Sequence, residues 1–581
     1  MARKSGYADS GSGGGHAPYA IALVLAVLLS IAAGVYFRTN TTAYNGWDFY
    51  FYIYYSHILA EYGFGGGLHY LISHGLTVFT GQWLLLGIPA LVYDLIGINT
   101  FSVNLFEYIS VAGAMAALFL IGGHISNRRA GLISAIAFAA VPAAVLELTS
   151  AGDGMPIAFF SSLAVLSFIW AERRGGAFYA IPGIVGVLGV IAGSAEVFFT
   201  LIFLAMLGAY RVARREAGMG ARDLAAFLSG TLICLAALIG LYAVVIPGHF
   251  GVFTDPYYAQ SSLPLSEVVE ELFPAYAQYT YVYPFVMPYA GVAYAPSPHL
   301  LYNNLGFLGY AAALCAVYLV ARKRLKDAAM PLSWLAVVLA CLSFGMDRLS
   351  GGFIMFDPRF MIAAVPPMAL VVGTGLDMML RDAMGRSGGA GRAALRRHAG
   401  RAAAVAVLVV ACVSATAVAA YYISEFETAA YHNDAVVVTG IAGFIETLPK
   451  NSTVYLVSSV INASEIAVYQ YNSTDIIAAE NESRLTNEFV GMVLSIYTGF
   501  GYGFNTSYVR QDCPAFKGGS YIVLKVSPSI YAEANQSRAG VALCPGLESV
   551  VLPQPPDETP ANGVPYDPSA FGDFYVYYKQ A

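Results

Sequence analysis

Long apolar runs separated by short polar turns fill most of the first 424 residues. Each run approaches the ~20 residues that a helix needs to cross about 30 Å of hydrocarbon. On that pattern, spans fall near 18–37, 100–123, 130–149, 155–171, 177–194, 196–210, 224–247, 300–321, 329–346, 360–380 and 402–424. The expectation is an α-helical polytopic membrane protein of about eleven transmembrane helices over 18–424, after an N-terminal tail at 1–17. Two apolar segments do not fit as spans. Trp83 to Gly97 is short, contains Pro89 and Asp94, and would invert every later loop. It reads as an interfacial or re-entrant helix within a long first outer loop, 38–99. Trp47 to Tyr62 is aromatic-rich and reads as a second helix of that kind. The first run, Tyr19 to Phe37, is long and lacks a clear small-residue cleavage site, so it reads as a span and not a signal peptide.

The pattern changes after residue 424. Short β-like runs, Thr453 to Ser458 and Tyr521 to Val526, mix with a helical stretch, Val436 to Leu448. The segment Leu552 to Pro568 is Pro-rich and reads as extended or loop-like. A small α/β domain over 425–581 is expected. It holds nine Asn, and six begin Asn-x-Ser/Thr sequons: Asn451, Asn462, Asn472, Asn481, Asn505 and Asn535. Average usage would give roughly one or two. The enrichment reads either as surface N-glycosylation or as a polar Ser/Asn-rich composition, and sidedness favours the first.

Charge decides that sidedness. Cytoplasmic loops carry the excess of Lys and Arg. The N-terminus, 124–129, 172–176, 211–223, 322–328 and 381–401 together hold 20 of them, and the opposite loops up to residue 424 hold three, Arg38, Arg348 and Arg359. The N-terminus is therefore expected in the cytoplasm and the C-terminal domain outside the cell membrane. The whole chain is 57% hydrophobic and 11% charged, against about 25% charged in soluble domains. A soluble protein of this composition would aggregate. The six cysteines form no CxxC or Cys/His cluster that suggests zinc. Cys513 and Cys544 read either as a disulfide of the outer domain or as two thiols.

Ionisable residues beside a bilayer are expensive and tend to mark function. Here they collect at the expected outer ends. Asp48 lies in Asn45-Gly46-Trp47-Asp48-Phe49-Tyr50, and Asp153 in Ser150-Ala151-Gly152-Asp153-Gly154-Met155. Glu196 sits in a tight turn, and Glu267, Glu270 and Glu271 lie in the outer loop 248–299. Asp347, Asp357 and Arg359 flank the outer end of the tenth span, and His57, His69, His74, His249 and His299 join them. Carboxylates at a low-dielectric surface serve as general bases or hold a divalent cation. An arginine offers a forked donor set to a lipid phosphate. Against this, a loop Asp is commonly a solvated turn residue or a helix cap, and Arg359 after Pro358 suits snorkelling to headgroups.

These residues carry a resemblance. A first span, a long outer loop with an early Asp, many further spans and an outer C-terminal domain resemble the GT-C superfamily of membrane glycosyltransferases. That resemblance implies polyprenyl-phosphate-linked sugar donors and a catalytic role for Asp48. Asp357-Pro358-Arg359-Phe360, followed by Pro366-Pro367 and Gly373, is similar to a segment whose arginine contacts the donor phosphates in oligosaccharyltransferases, which implies that role for Arg359. Leu148-Thr149-Ser150-Ala151-Gly152-Asp153 with Phe159-Phe160 resembles the archaeal oligosaccharyltransferase catalytic subunit, at shorter spacing and with one Asp fewer. It implies Mg or Mn held by Asp48, Asp153 and a loop glutamate, Glu267, Glu270 or Glu271. The sequon-reading motif Trp-Trp-Asp-Tyr-Gly is absent, since the four tryptophans are Trp47, Trp83, Trp170 and Trp334.

The expected activity is transfer of a sugar or glycan from a polyprenyl (dolichyl-type) phosphate-linked donor to a protein, lipid or glycan acceptor on the extracytoplasmic side. Asp48 and Asp153 are the expected catalytic residues, Arg359 binds the donor phosphate, and Glu196 and His299 are further candidates. One alternative is a divergent metal-dependent oligosaccharyltransferase acting in protein N-glycosylation. Another class, a transporter or flippase for lipid-linked substrates, is disfavoured because no internal repeat is visible and the acids sit at span ends. A non-catalytic scaffold fits the clustered acids less well. The expected partners are membrane lipids, donor and acceptor, with no nucleic acid.

Overall fold

The computed structural model describes residues 17–39, 47–73, 82–148, 152–192, 197–214, 219–245, 306–344 and 362–385, single residues 448, 452 and 519, and five strands further on. The chain divides into two units, one of 1–40 and 55–421, the other of 41–54 and 422–581.

The first unit is helical. Its described helices are α1 (Ala17–Thr39), α2 (Trp47–Ser73, whose first residues belong to the other unit), α3 (Trp83–Ile96), α4 (Thr100–Val103), α5 (Leu105–Ile125), α6 (Arg128–Ala139), α7 (Pro142–Glu147), α8 (Gly154–Arg174), α9 (Ala180–Ala192), α10 (Val197–Arg214), α11 (Ala221–Val245), α12 (Gly306–Ala321), α13 (Ala329–Phe344) and α14 (Val365–Gly385). Among the described residues, six helices are long and apolar enough to cross a membrane, and four more apolar helices are shorter. This is a multi-pass membrane protein. Its outermost helices present Leu25, Leu28 and Leu29 of α1 and Leu232, Ile233 and Val244 of α11 on the surface, as a lipid solvent permits.

Sequence accounts for several boundaries. Asn99 caps α4 by accepting from the Phe101 and Ser102 backbone N–H groups, with Ser102 closing a capping box. Asn127 caps α6 in the same way through Arg129 and Ala130. The stretch 130–149, expected as one span, is two helices, α6 and α7. Pro142 lacks an N–H and disfavours helix at the residue before it, which splits the run at Ala140–Val141. The aromatic segment at Trp47 is a longer helix than expected, bent at Gly63, whose φ of 71° suits glycine.

Helix packing is close because small residues face one another. Gly122 of α5 meets Gly131 of α6, and Gly373 of α14 meets Ser134 and the Ala130 carbonyl of α6. A large continuous core joins α5, α6, α8, α9, α10 and α14, with Phe138, Phe168, Tyr179, Phe203 and Trp334 wholly buried. The Trp334 indole donates to Thr200 Oγ1 at 3.1 Å, tying α13 to α10.

Polar links join one set of helix ends. Asp377 of α14, 1% exposed, accepts from Arg129 Nε at 2.5 Å and Asn127 Nδ2 at 2.6 Å and pairs with Arg381 at 2.6 Å. Arg173 meets His124 at 2.9 Å, Arg211 pairs with Glu172, and Asp223 accepts from the Gly176 N–H at 2.8 Å. Tyr318 donates to Asp382, which also pairs with Arg322 at 3.2 Å. These contacts gather the basic turns at one end of the helical unit.

The second unit contains a five-stranded mixed sheet in the order β2-β1-β3-β5-β4: β1 (Val454–Ser458), β2 (Phe504–Thr506), β3 (Tyr521–Lys525), β4 (Leu547–Val550) and β5 (Phe574–Lys579). β1 runs parallel to β2 and β3, and β5 runs antiparallel to β3 and β4. Asn505 stands on the edge strand β2, paired with Tyr455. The other five sequon asparagines, the helical stretch 436–448 apart from Leu448, the span 402–424, Cys513 and Cys544 lie outside the described residues.

Candidate functional site

The end of the helical unit away from the arginines gathers carboxylates. Glu107 stands in the first turn of α5, Glu147 ends α7, and Asp153 immediately precedes α8. They are 2%, 7% and 3% exposed.

Helix packing brings them together. The ring of Phe159 on α8 occupies the space beside Gly113 on α5, where a Cβ would stand. Both helices run from the carboxylate end toward the basic end. Counting back six residues from each contact gives Glu107 and Asp153, about 9 Å up each helix at 1.5 Å per residue. The two acids therefore sit at one level of adjacent helices. Glu147 reaches the same place from α7. Its carboxyl carbon lies 2.5 Å from where a Cβ on Gly154 would be. Gly34 near the end of α1 packs against Leu148 and the Tyr108 ring, next to two of these acids. Glu107 is within electrostatic reach of both Glu147 and Asp153.

Asp153 precedes α8 but makes no side-chain capping bond to it. It is also buried, so neither a solvated turn nor a cap describes it. Glu107 Oε2 is buried with no hydrogen-bond partner among the described residues. Three carboxylates in a low-dielectric setting repel one another and attract positive charge.

Other expected site residues are placed less fully. Asp48 is the second residue of α2, and its side chain lies outside the described residues, as do Arg359, Glu196, Glu267, Glu270, Glu271, Asp347, Asp357 and His299. His57 stands one helical turn before Glu61, with Nε2 to Oε2 at 3.5 Å. Burial pushes its pKa down, and Glu61 partly opposes this. Carboxylate oxygens suit Mg or Mn. Among the described residues, no three His, Cys, Asp or Glu converge to hold a metal ion.

Sequence reasoning passed over Glu107 and Glu147. Each is a lone acid inside an apolar run expected to span the membrane. That rarity is itself the signal that points to them.

No family model and no curated protein matches the chain. Solved structures do. ArnT from Cupriavidus metallidurans in the apo state matches at TM-score 0.56 and 12% identity, covering 95% of this chain and 97% of that one. The same protein bound to undecaprenyl phosphate matches at TM-score 0.52 and 13% identity, with the same coverage. The chain resembles ArnT in fold. That likeness extends over nearly the full length of both chains. The oligosaccharyltransferase of Archaeoglobus fulgidus also matches, at TM-score 0.49 and 12% identity, covering 89% of this chain and 71% of that one.

Proposed function

We propose that this protein transfers a sugar or glycan from a polyprenyl (dolichyl-type) phosphate-linked donor to an acceptor on the extracytoplasmic side of the membrane. The observation that carries this reading is the buried, non-capping Asp153 beside Glu147 and Glu107, at one end of a GT-C fold. The undecaprenyl phosphate bound by ArnT is a lipid of the proposed leaving-group class.

In the transfer, the acceptor atom bonds to the anomeric carbon of the sugar. The bond from that carbon to the phosphate oxygen breaks, and its electron pair leaves with the polyprenyl phosphate. The acceptor proton passes to a carboxylate, in this reading Asp48 or Asp153. Arg359 stabilises the charge that grows on the departing phosphate. Glu107 and Glu147 set the field around Asp153, and Glu196 and His299 are further candidates. A divalent cation, when bound, would neutralise charge on the phosphate. Under the same reading the opposite end faces the cytoplasm, which the excess of Lys and Arg in its turns supports.

The similarity of the sequence Leu148–Asp153, which ends on Asp153 of this site, to the archaeal oligosaccharyltransferase segment favours one narrower reading. The enzyme would then be a divergent metal-dependent oligosaccharyltransferase acting in protein N-glycosylation. EDTA separates the readings, because only the metal-dependent enzyme loses activity and regains it with Mg²⁺ or Mn²⁺.

The test is transfer from a lipid-linked sugar in membranes. Asp48→Asn and Asp153→Asn are each expected to lower turnover by about 100-fold or more with expression intact. Full activity in both variants overturns the assignment.

A further inference from the structure

At the basic end, the same two-residue device recurs on three helices. An aromatic residue in the last turns is followed four positions later by an arginine lying over its ring. Arg174 stands 5.4 Å from the Trp170 ring centroid on α8, and Arg214 5.5 Å from the Tyr210 ring on α10. Arg322 stands 5.5 Å from the Tyr318 ring at the end of α12. The i, i+4 spacing puts both side chains on one helix face. Trp and Tyr belong at the headgroup level of a bilayer, with their apolar body in the lipid and their polar tip in water. A guanidinium stacked on such a ring is held at headgroup depth, and its in-plane N–H donors remain open to an oxyanion.

The three stacks differ in what else they touch. Arg322 is paired with Asp382 at 3.2 Å, so its fork is engaged by a carboxylate. Arg174 and Arg214 are exposed and have no carboxylate partner among the described residues. The ends of α8 and α10 are tied together by the Arg211–Glu172 pair. Arg173, Arg174, Arg211 and Arg214 against Glu172 leave a net charge of +3 at that junction. Trp170 and Tyr210 are 40% and 52% exposed, in position to meet lipid.

We propose that the joined ends of α8 and α10 bind anionic phospholipid headgroups, with the Arg174–Trp170 and Arg214–Tyr210 stacks as the phosphate-holding elements. The occupant follows from charge complementarity at headgroup depth. A phosphodiester accepts from a planar donor fork, and a zwitterionic headgroup carries a compensating cation that the arginines repel. The Arg322–Tyr318 stack serves as an internal control, because Asp382 already pairs with Arg322 Nη2 and offsets its charge. This inference is independent of the glycosyl-transfer reading.

The test is native mass spectrometry of the purified full-length protein in detergent, titrated with phosphatidylglycerol or with phosphatidylcholine of the same acyl chains. Wild type is expected to retain phosphatidylglycerol in preference to phosphatidylcholine. Arg174→Gln and Arg214→Gln are each expected to weaken phosphatidylglycerol retention about five-fold, and Arg322→Gln to leave it unchanged. Trp170→Leu, which keeps the charge and removes the stack, is expected to weaken it by a smaller factor. Equal retention of the two lipids by wild type overturns the proposal. So does equal loss in the Arg322 variant, which would mark general basic attraction. Added inorganic phosphate that abolishes retention would assign the stacks to free phosphate and also overturn it. Matching thermal transitions of all variants in detergent establish that the losses are not unfolding.

Discussion

The carboxyl of Glu147 fills the space beside Gly154, 2.5 Å from where a Cβ on that glycine would stand. This contact seats the end of α7 on the start of α8 and holds Glu147 next to Asp153. Gly154→Ala is expected to push Glu147 aside. Overpacking at a tight site costs about 1–3 kcal/mol. Under the proposed function, displacing Glu147 from beside Asp153 is expected to cost roughly 10- to 100-fold in rate. Thermal melting in detergent and transfer from a lipid-linked sugar measure the two effects separately. An alanine variant with wild-type turnover removes Glu147 from the site.

Glu107 and Asp153 share one level of the bundle, so their effects on turnover are expected to be coupled. Glu107→Gln and Asp153→Asn are each expected to lower turnover, and the double variant to lose less than the product of the single losses. A double-mutant cycle reads that interaction directly. Strictly multiplicative losses would show that the two acids act separately.

Asp377 anchors the opposite end of the helical unit. It is 1% exposed and bound by Arg129, Asn127 and Arg381, which join the α5–α6 turn to α14. Removing one partner of a buried pair costs about 3–5 kcal/mol. Arg129 and Arg381 are 30% and 49% exposed, so water can reclaim them once the carboxylate is gone. Asp377→Ala is therefore expected near the low end, about 3 kcal/mol, as a lower melting temperature in detergent.

The pH dependence at His57 has a definite sign. Burial depresses its folded pKa below the unfolded 6.5, with Glu61 opposing. The unfolded chain then binds more protons, so stability is fully present above the unfolded value and is lost as pH falls through the folded one. Wild type is expected to lose more melting temperature than His57→Asn between about pH 7.5 and about pH 5.5. Equal losses would show that this imidazole does not sense burial.

The membrane-spanning character was legible because a span is a local property. About 20 apolar residues suffice to define one whatever they pack against. The strands near Thr453 and Tyr521 were legible for a similar reason, as short runs of β-branched and aromatic residues. The division of 130–149 was readable only in part. Pro142 was in view, but an apolar run of that length also suits a single span.

The acids divide along the same line. Asp153 was visible because it stands between Gly152 and Gly154, where the apolar run breaks. Glu107 and Glu147 were not, because each is one charge in a run otherwise fit for lipid.

Sequence alone determined that this chain lives in a membrane, where its charges concentrate, and that Asp153 stands at a span boundary. Only tertiary structure decided that Glu107, Glu147 and Asp153 share one buried site. Residues 107 and 147 stand on α5 and α7 with α6 between them, and no local pattern records that α5 and α8 run side by side. That arrangement rests on Gly113 leaving room for Phe159 and Gly154 leaving room for Glu147. These are contacts of shape between distant segments, and hydrophobic periodicity carries no information about them.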